Sequence, residues 1–574
     1  MYLKKSFSSQ TGRTYLTIVQ GYRDADGKAK SKTVKSIGFL DELEKEFDDP
    51  IAHFTAMAKD MDSERLESMS VSVSLDLTQL LDHSTAYRKN FGYVIYSRVF
   101  HELELDRFLD NARRNLPFLF NSEAIMRLLV FSRLLFPGSK RAAVLDKDIF
   151  FDKFDFTLDD VYHALTHFDS ISKQLQRHLH QMVANQYGRD TELVYYDVTN
   201  YYFEIDMQDD LRRRGAEKNR RRDPIVQMGL LVDKMGLPIT YRIFPGNTND
   251  SQTMMPVLAE VKREYDIGRI IVVADKGLNC GDNIAFTAVL GDGYVFSKSI
   301  RGASADFQAW VLEDTGYRAL SDKTRVKSKV VPDAEVRVTV RQVGKRKIKK
   351  TERLEQKWLA IYSEKYAIRV KRKRAEAVAK ALDMISNPAK YRQAVDHGAA
   401  GYIRNLKVDK STGEILNIDD TLLLDTDKIA DEERFDGYYA IITSELDEAD
   451  ESILNMYHGL WRIEESFKVT KSTLEARPIF LQTKEHINAH FLICFISLLI
   501  ARIVELRLKG KYSIAAITDT IRKIAATNID QNVWLFDHAD ELTDDLNVAF
   551  DTNFGLKHMT LRDIKASIAS SKRV

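Results

Sequence analysis

The stretch ELVYYDVTNYYFEI, residues 192–205, decides how this chain is read. Its Val, Tyr, Thr, Phe and Ile are strand formers, and no Pro or Gly interrupts them. At its centre stands Asp197. An aspartate is disfavoured inside a strand, and its carboxylate would cost several kcal/mol if left unpaired in a core. A residue so placed calls for a chemical reason.

The residues downstream supply context. IVQMGLLVDKMGLPITYRIFPGN (225–247) reads as strand, tight turn at KMG, and strand. Residues 254–265 have helical spacing, GRIIVVADKG (268–277) is a short buried strand, DNIAFTAVLGDG (282–293) a helix and YVFSKSI (294–300) a further strand. The order is β-β-β-α-β-α-β, an α/β unit. Asp275 closes the strand IIVVA, where α/β sheets commonly place functional groups.

A third acid lies far downstream in YHGLWRIEESFKVTKS (457–472). Read as one continuous helix, it puts Tyr457, Glu464 and Lys471, seven residues apart each time, on one face. Such a stripe ordinarily carries core aliphatics. Each acid alone also has a plain reading, since a strand-end Asp commonly caps a helix or a turn and a helix Glu is commonly solvated. Taken together, two strand carboxylates repel unless a cation or proton neutralises them. Hard divalent cations use one or two carboxylates with water and phosphate oxygens, and paired ions drive phosphoryl transfer. Asp197, Asp275 and Glu464 thus point to metal-assisted phosphodiester chemistry.

Bulk properties narrow the class. The 574 residues are 44% hydrophobic and 29% charged, ordinary for a multi-domain globular protein. Cys280 and Cys494 form neither a disulfide framework nor a CxxC knuckle, as expected in a reducing cytoplasm. No apolar run follows the lysines of MYLKKSFSSQTGRTYL, so no signal peptide is expected. FLICFISLLIARIV (491–504) is too short to span a bilayer and reads as a buried helix, so no membrane partner is expected. Net charge is only +1, yet basic residues cluster in RRRGAEKNRRR (212–222), RQVGKRKIKK (341–350) and RVKRKR (369–374), while acidic runs such as DTDKIADEERFD (425–436) compensate. Segregated charge suits local contact with nucleic acid, although any one cluster can equally be a solvated loop.

With these residues in view, the chain resembles the insertion-sequence DDE transposases of the insertion-sequence-four superfamily. Their Tyr-(2)-Arg-(3)-Glu-(6)-Lys signature is matched by Tyr457, Glu464 and Lys471, with Trp461 three residues before the Glu. YYDVTNYYFE (195–204), GLLVDKMGLPI (229–239), FPGNTND (244–250), ADKG (274–277) and RPIFLQTKEHINAHF (477–491) are similar too, and LLVFSRLLFPGSK (128–140) more weakly. The signature's Arg position holds Leu460, while Arg462 falls about 200° around the helix from it. Glu465 is the alternative third acid, but only Glu464 keeps both seven-residue registers.

The resemblance implies an α/β, ribonuclease H-like (retroviral integrase-like) core with a β-rich insertion before the catalytic Glu. It implies cut-and-paste transposition by Asp197, Asp275 and Glu464 with two Mg²⁺ (or Mn²⁺) ions. It implies double-stranded DNA partners, both terminal inverted repeats and target, and a homodimer on DNA in the bacterial cytoplasm. Tyr457, Lys471, Trp461 and Arg462 would meet the DNA end, and Lys345, Arg346, Lys347, Lys349 and Lys350 would meet phosphates from the insertion. The expected organisation is a small β unit (1–48), a mostly helical region (49–190), a core (191–300) and an inserted basic β module (301–434). The core then resumes with its last strand and catalytic helix (435–510), before a helical tail (511–574). The rival expectations are another nuclease or resolvase of the same fold, a non-catalytic DNA-binding descendant, and a scaffold protein.

Overall fold

The computed structural model describes the chain except residues 9–11, 24–28, 68–77, 79, 81, 83–84, 115–119, 216–222, 345, 388–397, 407–421, 531 and 574, and gives only the backbone of 22–23, 29–30, 62–67, 342–343, 346 and 530. It forms two compact units, Met1–Asp82 and His83–Val574.

The first unit is a three-stranded antiparallel meander, β1 (Tyr2–Ser8), β2 (Arg13–Arg23) and β3 (Ala29–Phe39), followed by α1 (Leu40–Leu43) and α2 (Pro50–Glu67). Alternation along β2 turns Leu16 and Ile18 inward, and α2 contributes Phe54 and Ala58. The expected Asp-Gly turn between β2 and β3 lies outside the described residues.

In the second unit, β4 (Arg88–Asn90) leads into helices α3 (Val94–Glu102), α4 (Leu105–Arg113), α5 (Ser122–Leu135), α6 (Lys140–Leu145) and α7 (Leu158–Tyr187). Thr157 and Asp160 form the expected capping box of α7. Five strands come next: β5 (Leu193–Tyr202), β6 (Ile225–Asp233), β7 (Pro238–Pro245), β8 (Ile271–Ala274) and β9 (Gly293–Lys298). Helices α8 (Met254–Glu264) and α9 (Gly281–Val289) lie between the later ones. These elements match the expected β-β-β-α-β-α-β order. The turn after β6 sits at Lys234–Gly236, where Gly236 takes φ +87° and the Asp233 carboxylate accepts the Met235 and Leu237 N–H groups.

The insertion does not stand apart as a separate module. After α10 (Ala305–Leu312), strand β10 (Arg318–Ser321) and the long hairpin β11 (Thr324–Val343) and β12 (Arg346–Ser363) join the core sheet itself. The link is β15 (Tyr438–Thr443), which pairs antiparallel with β12 on one side and β9 on the other. Between them come α11 (Glu364–Ser386), the short pair β13 (Ile403–Arg404) and β14 (Leu423–Leu424), and α12 (Thr426–Glu433). One nine-stranded sheet results, in the order β10-β11-β12-β15-β9-β8-β5-β6-β7.

The rest of the chain closes over this sheet. Helices α13 (Asp450–His458) and α14 (Trp461–Lys468) are followed by α15 (Lys484–Arg507). Among the described residues α15 is the one helix long and apolar enough to cross a membrane, yet it is a core helix buried throughout Ala489–Val504. Beyond it the expected helical tail is a mixed layer: α16 (Ile514–Lys523), β16 (Ala525–Asp530), β17 (Val533–Phe536), α17 (Glu541–Phe550), β18 (His558–Thr560) and α18 (Leu561–Ser571). Its strands form a four-stranded sheet with β4, in the order β18-β17-β16-β4. β16 pairs on one side with the adjacent β17 and on the other with β4, more than 400 residues earlier, and only the second pairing is beyond any local pattern.

Candidate active site

Strands β5 and β8 run parallel, with Leu193 opposite Ile271, Val194 opposite Val272 and Tyr195 opposite Val273. The offset is 271 − 193 = 78. Continued two residues past the last paired position, the same offset brings Asp197, mid-way along β5, level with Asp275, the residue just after β8, on strands whose backbones run about 4.8 Å apart. Both lie an even number of residues from Tyr195 and Val273, and so on the sheet face those two share. That face packs the main core, which also holds Leu460, Ile463 and Phe467 of the helix above.

The 457–472 segment is a rod in three parts rather than one even helix. After α13, Gly459 and Leu460 keep helical dihedrals but break the regular bonding, and residues Val469–Thr473 form a π turn. Gly459 is required by close approach, since a Cβ there would lie 1.8 Å from the Tyr195 hydroxyl oxygen. The extra residue in a π turn shifts the register of the residues beyond it. Lys471 nevertheless still reaches the sheet.

Contacts place this rod along β5. Arg462 lies over the Tyr195 ring at 6.0 Å. At the other end the Lys471 ammonium donates to the Thr199 hydroxyl and lies 5.5 Å over the Tyr201 ring. The Tyr201 and Thr470 hydroxyls are 2.8 Å apart. Residues 195, 199 and 201 are thus matched by 462, 471 and 470, and Asp197 falls between them, beside the segment that carries Glu464.

Buried Arg502 fixes α14 from behind. This is the charge that interrupts the apolar run of α15. It donates to the Ser466 hydroxyl at 3.0 Å and the Arg462 carbonyl at 3.3 Å, and it pairs with Glu505 at 2.7 Å. Its remaining neighbour is Glu465 at 3.7 Å. Glu465 therefore turns toward α15, whereas Glu464 is exposed.

Tyr457 joins the two acids from the other side. Burial pushes its phenol up, the Ser297 hydrogen bond pulls it back, and Asp275, Tyr366 and Glu464 push it up again. It is a neutral phenol at pH 7. Ser297, buried on β9, donates to Asp275 Oδ1 at 2.8 Å, forming a Tyr457–Ser297–Asp275 chain. The Tyr457 ring stacks on Tyr439, which meets Tyr366 edge-on at 5.7 Å.

The other expected site residues are spread around this centre. Trp461 is 53% exposed and available to a partner. Arg462 packs on Tyr195 and the turn at Gly236. Leu460 is a core residue. Lys347, Lys349 and Lys350 are exposed on β12 near the hairpin tip. Lys345 lies outside the described residues, and the Arg346 side chain is not described. Three contributors escape the sequence reading: Ser297, Tyr366 and Asp250. The Asp250 carboxylate accepts from Gln227 at 3.1 Å and lies beside Gly277 in the turn after Asp275. A Ser inside the apolar strand YVFSKSI and the acid that ends FPGNTND were the available signals.

Asp197, Asp275 and Glu464 come from three elements and offer hard oxygen donors, the set a divalent cation prefers. Among the described residues no three His, Cys, Asp or Glu side chains stand close enough to hold an ion as placed.

Comparison with known families adds two matches. The model described as "Transposase DDE domain" matches residues 203–500, more than half the chain. The model described as "IS1634 family transposase, N-terminal domain" matches residues 3–70. No curated protein matches. Among solved structures, a piggyBac transposase synaptic complex with hairpin DNA is similar at 8% identity, over 84% of each chain, with a TM-score of 0.35.

Proposed function

Because the chain belongs to the DDE-domain transposases, we propose that it excises an insertion sequence and joins its 3′-OH ends to target DNA in the bacterial cytoplasm. The observation that supports this reading is the parallel register of β5 against β8, Leu193–Tyr195 opposite Ile271–Val273, whose continuation brings Asp197 level with Asp275. The core order β7-β6-β5-β8-β9 supports a ribonuclease H-like unit, with β5, β8 and β9 parallel and β6 and β7 antiparallel to their neighbours. Tyr457, Glu464 and Lys471 fit the insertion-sequence-four signature, and Leu460 departs from it.

Asp197, Asp275 and Glu464 would hold the metal, two Mg²⁺ (or Mn²⁺) ions. Ions bound there would supply the chemistry of activating the attacking oxygen and stabilising the leaving 3′-oxygen. The side chains do the rest. Lys471 offers a point charge for a phosphate at the carboxyl end of β5, beside the Asp197 position. Tyr457 and Ser297 orient Asp275. Transposition joins two ends, so a homodimer holding two inverted repeats and the target is part of the proposal.

The test is metal binding and cleavage together. Asp197→Asn and Asp275→Asn are each expected to weaken Mn²⁺ binding in titration calorimetry and to abolish cutting of a duplex bearing the element's end. Either variant cutting at the wild-type rate would reject the assignment.

Ser297→Ala removes one hydrogen bond to Asp275, worth about 1 kcal/mol. Cleavage is expected to fall by about fivefold at fixed Mg²⁺, since 1.4 kcal/mol is one factor of ten. More Mg²⁺ would be needed for half-maximal rate, and Ser297→Thr should restore part of it. An unchanged Mg²⁺ requirement would mean that Ser297 serves the fold alone.

A further inference from the structure

The Tyr457–Tyr439–Tyr366 chain leads from Asp275 into the first turn of α11. This helix has two unlike faces. Its inner side buries Arg374, Ala381 and Met384, with Arg374 paired to Asp436 and Glu433. On its outer side Lys365, Arg369 and Arg372 recur at spacings of four and three, a single exposed stripe. Little internal charge neutralises it. Arg369 lies 5.1 Å over the Tyr366 ring, Arg372 has only an exposed Glu376 at 3.8 Å, and Lys365 makes no ion pair among the described residues.

Exposed cations of one sign along a rigid helix focus a positive potential that favours an anionic partner. From Lys365 to Arg372 is seven residues, about 10 Å at 1.5 Å per residue. That span can meet successive phosphates of one DNA strand. We propose that the outer stripe of α11 is a phosphate rail. It would hold the backbone of the DNA segment next to the scissile phosphate, with Tyr366 pinning its near end to the site. This rests on the DNA-cleaving role proposed above and adds the surface that delivers the substrate.

The experiment uses the full chain carrying Lys365→Gln, Arg369→Gln and Arg372→Gln together. Binding to an element-end duplex is measured against salt concentration, alongside phosphate-ethylation interference. Each lost phosphate contact lowers the salt slope by about 0.9, so the slope is expected to become shallower by about two to three. Interference should disappear at phosphates adjoining the cleavage site and persist elsewhere, and the melting temperature should hold because all three side chains are exposed. An unchanged slope, or interference retained at the adjoining phosphates, overturns the rail. If the wild-type protein binds with the expected slope loss in the variant yet cuts nothing, the rail stands and the catalytic reading fails.

Discussion

Glu464→Gln should abolish DNA cleavage, by at least about 10³-fold or roughly 4 kcal/mol of barrier, while Glu465→Gln stays within about threefold of wild type. The two residues are neighbours, and sequence leaves either as the third acid. Their surroundings differ. Glu465 turns to α15 and shares Arg502 with Glu505. Its loss leaves that guanidinium with Glu505, Ser466 and the Arg462 carbonyl as partners. A partly exposed pair of this kind contributes at most about 1 kcal/mol. Glu464 is exposed on the rod that runs past Asp197, and its charge raises the Tyr457 phenol together with that of Asp275. Glutamine keeps the shape and removes the negative oxygen that a hard cation requires. Cut product resolved on a sequencing gel measures both variants. Activity in Glu464→Gln, or its loss in Glu465→Gln with normal melting, would reverse the assignment.

Leu460→Arg should unfold the protein more easily and should not tighten DNA binding. The resemblance makes Arg the family residue here, and on a solvent-facing helix its return would add a phosphate contact. In this fold Leu460 is 7% exposed, packed in the main core that also holds Ile453, Ile463 and Phe467, where α13 meets α14. Removing it forfeits about 1.5–3 kcal/mol of apolar burial, and a guanidinium in its place must be desolvated or force the rod outward. The expected sum is a loss of several kcal/mol, read as a clear drop in melting temperature by calorimetry. Element-end affinity, measured on the folded fraction, should be no better than wild type. An unchanged melting temperature with tighter binding would place residue 460 on the DNA face instead.

Much of the core is legible in the sequence because its signals are local. β5 to β9 are short apolar or aromatic runs bounded by turns, and Asp197 and Asp275 stand out as acids where strands disfavour them. The rod at 457–472 is legible in type but not in detail. The seven-residue rule assumes an even helix, and the break at Gly459 answers to the Tyr195 hydroxyl, which only the fold brings there. The insertion reads as short β runs in a separate module. Its strands are 20 and 18 residues long and join the core sheet, because β12 finds β15 about 80 residues later. The helical reading of the tail fails at a local hairpin, β16 with β17, whose outer edge is then covered by β4 from more than 400 residues earlier. Ser297 matters only through the residue that faces it across the β8–β9 edge, a relation that spacing in one strand does not carry.

The central claim is that one carboxylate set both cuts the element's end and joins it. The most direct measurement supplies the purified chain with a precut duplex ending in the element's 3′-OH, a supercoiled target plasmid and Mg²⁺. The account predicts covalent joining of that 3′-OH to the plasmid, lost in Asp275→Asn and without Mg²⁺. Cleavage of an uncut end with no joining from the precut one would contradict it and leave a nuclease of the same fold.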